Sequence, residues 1–112
     1  MDFHFSCQSD YNSNVIGEWS EVLIEQRDAL NRDIVKEVPG RWELVFDNAG
    51  KVKIRSSEVS EYTHSYFLEE QILKIDEEKY IVDTLTRSKL ILREESVLGS
   101  SFDKKRYFER KK

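Results

Sequence analysis

The chain has 112 residues and a mass of 13.3 kDa, enough to bury one core and too little for two. With 36% charged, 38% hydrophobic and 12% aromatic residues it is too rich in aromatics for a disordered chain, and no apolar run reaches the ~18 residues of a membrane-spanning helix. Its net charge of -4 argues against a nucleic-acid binder, which recruits phosphates with a basic balance.

In chain order, residues 1–13 read as a flexible tail, because Gln8 to Asn14 are polar and turn-prone. The single cysteine, Cys7, can form no internal disulfide. It stands in FHFSCQSDYNSN, where a few apolar residues precede it and a polar tether follows. That arrangement resembles the end of a bacterial lipoprotein signal with its lipid-accepting cysteine, a plain surface thiol being the alternative. The domain then runs over 14–112.

The first strand begins near Val15 and carries Gly17, Trp19 and Leu23. The segment EQRDALNRDIVKEVP (25–39) fits two forms: Ala29, Leu30, Ile34 and Val38 recur at helical spacing with Asp28 as a cap and Pro39 as a stop, or the segment is an extended flap. A hairpin follows. Trp42, Leu44 and Phe46 alternate with charged residues, Asp47-Asn48-Ala49-Gly50 is a turn, and Val52 and Ile54 alternate with Lys51, Lys53 and Arg55. Such clean alternation marks an antiparallel sheet with one face in the core and one in water.

Tyr62 to Leu68, Ile72 to Ile75, Tyr80 to Leu85, Ser88 to Glu94 and Phe102 to Arg110 continue the pattern, giving eight strands joined by short polar turns. An open sheet of this size would expose a full apolar face and two unpaired edges, and closure removes both problems. The fold expected is all-β: an eight-stranded antiparallel up-and-down barrel with a short helix or flap between strands 1 and 2.

Gly17-Glu18-Trp19, the second Gly-x-Trp at Gly40-Arg41-Trp42, the Phe46–Gly50 hairpin, YIVDTLTRSKLIL (80–92) and RYFER (106–110) together resemble the small bacterial lipocalin-like domains of the calycin group. The resemblance covers about residues 14 to 110. It implies a closed barrel, often on a secreted or lipid-anchored protein of the cell envelope or periplasm, with a hydrophobic interior that in larger relatives binds a small apolar ligand. Without an anchor the alternative location is the cytoplasm. Relatives that bind intracellular lipids place an Arg and a Tyr near the end of the last strand for a ligand carboxylate. Here Arg106 and Tyr107 are adjacent, so they face opposite sides.

No catalytic constellation stands out, and no cofactor is implied. His4 and His64 are the only histidines, and the acidic runs Asp76-Glu77-Glu78 and Glu94-Glu95 read as solvated turns rather than calcium sites. Tyr62, His64 and Tyr66 share one strand face. Pointing inward, they would bring three hydrogen-bonding groups into the barrel; pointing outward, they would leave Thr63, Ser65 and Phe67 inside. An inward Arg106 would need a buried carboxylate partner or an anionic ligand.

Three functions remain. A non-enzymatic carrier would bind an apolar or amphipathic molecule against Trp19, Trp42, Leu44, Phe46, Tyr62, His64, Tyr66, Arg106 and Phe108, with residues 25–39 as a lid. A solid barrel would bind or inhibit another protein through its rim or outer face, and would show a filled interior and an exposed aromatic patch. An enzyme such as a barrel-type isomerase or cyclase finds support only in Tyr62, His64 and Tyr66.

Overall fold

A computed structural model describes residues 14–28, 30–56, 60–94 and 102–111. Nine strands follow one another: β1 (Gly17–Asp28), β2 (Ile34–Pro39), β3 (Glu43–Phe46), β4 (Lys51–Arg55), β5 (Tyr62–Glu69), β6 (Ile72–Ile75), β7 (Glu78–Leu85), β8 (Lys89–Glu94) and β9 (Phe102–Arg110). β1 and β3 to β9 form a closed antiparallel barrel, consistent with a calycin-like fold, in which β9 returns to pair with β1 from Trp19↔Arg110 to Asp28↔Phe102. β2 is the additional ninth strand.

The segment for which the sequence allowed a helix or an extended flap is extended. β1 runs on to Asp28, and β2 folds back on it with Ile24 opposite Val38 and Gln26 opposite Lys36. Asp28 does not cap a helix. Its carboxylate accepts the Leu30 N–H at 2.8 Å, and its carbonyl accepts the Arg32 N–H at 2.9 Å, so the same Asx chemistry closes a turn instead. Arg32 takes a left-handed φ of 67° there. Leu30, read as part of an apolar underside, is 94% exposed at the tip of this hairpin.

The hairpin projects because β1 is longer than its barrel neighbour. β3 pairs with β1 only over Gly17 to Ser20, after which β1 bulges around Val22 and β2 takes the same edge. Gly40 makes that crossing possible: a Cβ there would lie 2.4 Å from Glu21 Cγ and 2.6 Å from its carbonyl carbon. Gly17 serves a different need, a φ of +132° at the first strand's start.

Alternation decides which side chains turn inward. Trp19, Leu44, Phe46, Val52, Leu73, Leu90, Leu92 and Phe108 are all at most 1% exposed and form one cluster with Leu68, Ile75, Tyr80 and Val82. They fill the barrel axis with side chain, as a close-packed core requires. The turn after β3 matches its sequence: Asp47 Oδ1 accepts from Ala49 N and Lys51 N at 2.8 and 2.9 Å, and Gly50 has φ +81°.

Candidate functional site

Both Gly-x-Trp tryptophans meet an arginine from β9. At the closed end of the barrel, the Arg110 guanidinium lies 4.2 Å from the Trp19 ring centre and donates to the carbonyls of Arg87, Ile16 and Asn14. At the mouth, Arg106 lies 3.8 Å from the Trp42 ring centre. It donates through Nε to Glu94 Oε2 at 2.5 Å and through Nη1 to Glu21 Oε2 at 2.9 Å. The other oxygen of Glu21 accepts the backbone N–H groups of Arg41 and Trp42 at 3.0 and 3.2 Å. Glu21 therefore ties β1, the β2–β3 crossing and β9 together from a fully buried position.

Burial works against the charge of Arg106, but hydrogen bonds and attraction from Glu94 and Glu21 outweigh it and raise its pKa. Tyr80, buried nearby, is pushed up to about 12, first by burial and then by the charge of Glu94. A second polar group lies on the other side of β1 and β9. Tyr107 donates to Glu25 at 2.5 Å, Arg27 pairs with Glu25 at 3.1 Å, and Arg32 pairs with Asp103 at 2.7 Å.

Of the residues expected to line a ligand site, Trp19, Leu44, Phe46 and Phe108 lie together in the packed interior. Trp42 and Arg106 meet at the mouth. Tyr62, His64 and Tyr66 do share the inner face of β5 with Leu68, yet they do not converge on a cavity. Tyr66 packs edge-on to Phe46 at 4.9 Å and donates to the Asp47 carbonyl at 2.7 Å. His64 Nδ1 is 2.5 Å from Asp76, whose pKa is lowered chiefly by that bond, and Tyr62 is 60% exposed. A cleft of about 390 Å³ opens at the mouth between the hairpin and the barrel rim, lined by Ile24, Val38, Trp42, Ser56 and Arg106 among others.

The outer wall holds what the sequence reading passed over. Phe67 is 61% exposed, directly opposite Lys74, and Lys74 is directly opposite Lys79. Ile72, also exposed, lies one row further along β6 and opposite Ile81. The signal was present: once Tyr62, His64 and Tyr66 face inward, strict alternation puts Phe67 outside. Glu94, read as part of a solvated turn, instead ends β8 as a partner of Arg106, and Glu21 was missed, because nothing in a strand pattern marks a carboxylate as the partner of an arginine 12 or 85 residues away.

Among the described residues no group of three or more His, Cys, Asp or Glu side chains is placed to share a metal ion. Cys7 and the tail lie outside the described residues. Comparison with known protein families, with curated proteins and with solved structures finds no match for this chain.

Proposed function

We propose that the chain is a non-enzymatic binding module of lipocalin-like type, whose barrel is a scaffold and whose outer face engages a partner protein. The observation that carries this reading is the packing of the axis. Trp19, Phe46 and Phe108, three of the largest side chains, occupy the space a carrier would leave for its ligand. A drug-sized ligand needs ~300 Å³ or more of enclosed, mostly apolar volume. The wall outside, by contrast, leaves Phe67 and Ile72 open beside lysines. An exposed aromatic of this kind is the sort of anchor that dominates protein interfaces.

The test is a photo-crosslinking residue at position 67 and, as a control, at exposed position 18. A discrete protein adduct from position 67 and none from 18 supports the reading. No adduct from either, together with saturable binding of a fluorescent fatty acid, replaces it with a carrier.

The mouth cleft favours a second reading, a small amphipathic ligand held between Trp42 and the Ile24–Val38 pair of the hairpin. Arg106 is already bonded to two carboxylates, so a ligand anion there would compete with Glu94, the more exposed of the two. On either reading a lipid at Cys7 would tether the barrel to a membrane surface of the cell envelope. Metabolic labelling with a clickable fatty acid, lost in Cys7→Ser, checks that step.

A further inference from the structure

Four lysines occupy the outer wall around Phe67. Lys74 and Lys79 stand in its row across β6 and β7, and Lys51 and Lys53 occupy the same face of β4, opposite Ser65 and Thr63 of β5. All four are exposed. Among the described residues the lysine ion pairs are those of Lys105 and Lys111, so none of these four has a carboxylate within pairing distance. Asp76, the acidic group felt by Lys51, is bonded to His64.

Two features set this face apart from an ordinary solvated surface. Like charges directly opposite on antiparallel strands oppose folding, and Lys74 and Lys79 form such a pair beside an exposed phenylalanine. A sequence that breaks a local rule without a local gain points to a demand from outside the fold. The patch is also positive on a chain of net charge -4.

The surroundings narrow what fits. Glu69 and Glu70 stand where β5 turns into β6, and Asp76, Glu77 and Glu78 where β6 turns into β7, so Lys74 and Lys79 lie between two acidic rims, with Lys51 and Lys53 at and beyond the second. A nucleic acid strand or an anionic bilayer extends past both rims and is repelled there. A short segment lying across the strands, no longer than the ~13 Å rise of β6, meets Lys74 and Lys79 without crossing either rim.

We propose that this face holds a short acidic segment of a partner protein, its carboxylates on Lys74 and Lys79, with Lys51 at its edge, and an apolar side chain against Phe67 and Ile72. The assignment rests on the outer-face reading and adds the chemistry of the partner. Charge reversal of Lys79 removes half of the like-charge pair and creates a cross-strand ion pair with Lys74. It therefore keeps or raises thermal stability while removing the attraction, a combination no purely structural role produces.

The probe is a short rhodamine-labelled peptide alternating glutamate with leucine, followed by fluorescence anisotropy on the full chain. Expected is saturable, salt-sensitive binding that weakens about tenfold in Lys79→Glu. Phe67→Ala weakens it severalfold with the fold intact by circular dichroism. No binding, or equal binding by the wild type and Lys79→Glu, overturns the proposal. So does preferential binding of oligothymidylate or of phosphatidylserine vesicles through the same lysines. A photo-adduct at position 67 that survives Lys79→Glu overturns the acidic partner alone. Absence of that adduct in the wild type overturns the outer-face reading itself.

Discussion

Strands β5 to β7 are one wall with two unlike faces. Inward, Tyr66, Leu68, Leu73, Ile75, Tyr80 and Val82 join a continuous core, and the Tyr66 hydroxyl donates to the Asp47 carbonyl. Outward, Phe67, Ile72, Lys74 and Lys79 stand open, with two cations face to face. The same backbone hydrogen bonds support both faces, so the difference lies in the side chains alone. The inner face is a packed core and the outer one carries like charges beside an open aromatic, and the proposed outer-face binding rests on that contrast.

The contrast is broken most forcefully from within. Phe46→Ala empties a site at 1% exposure and is expected to cost about 3–5 kcal/mol, read as a fall in the denaturant midpoint at unchanged slope. Arg106→Met leaves Glu21 buried without its cation and is expected to cost about 3 kcal/mol by the same measurement. Trp42 should also change its fluorescence, because the guanidinium leaves its ring.

A titration sharpens the picture without mutation. Tyr80 has a folded pKa of about 12 against an ordinary value of 10.0, so the folded state holds its proton more tightly than the unfolded state does. Its contribution is complete below about pH 10 and lost as the pH rises toward about 12, a loss of up to about 3 kcal/mol. Chemical denaturation over that range should show the decline, and Tyr80→Phe should flatten it. The smallest effect has the opposite sign: Lys79→Glu is expected to gain about 0.5 kcal/mol, seen as a slightly higher Tm at low salt.

Much of the fold was legible because strands write themselves at period two. Leu44 and Phe46, Val52 and Ile54, Leu90 and Leu92 each announced an inner face, and Asp47 to Gly50 announced its turn. The 25–39 segment was not settled by sequence. Its apolar spacing fits a helix, and what selects the strand is a tertiary fact: β1 continues past β3 and offers β2 a free edge. The two Gly-x-Trp motifs share a spelling but not a role: Gly17 takes a φ of +132°, and Gly40 allows the close contact with Glu21. Residues of the candidate site were harder still. Arg106 was visible as a question, but its partners Glu21 and Glu94 come from other strands, and pairing between distant positions has no periodicity to betray it.

The most direct test of the central claim, that the interior supports and the exterior binds, is a titration with a brominated fatty acid, a contact quencher, monitored through tryptophan fluorescence in the wild type and in Trp42→Phe. The packed axis predicts that any saturable quenching disappears with Trp42, because Trp42 lines the mouth cleft whereas Trp19 is fully buried in the core. Saturable one-to-one quenching that persists in Trp42→Phe would place the ligand against Trp19 inside the barrel and contradict the account.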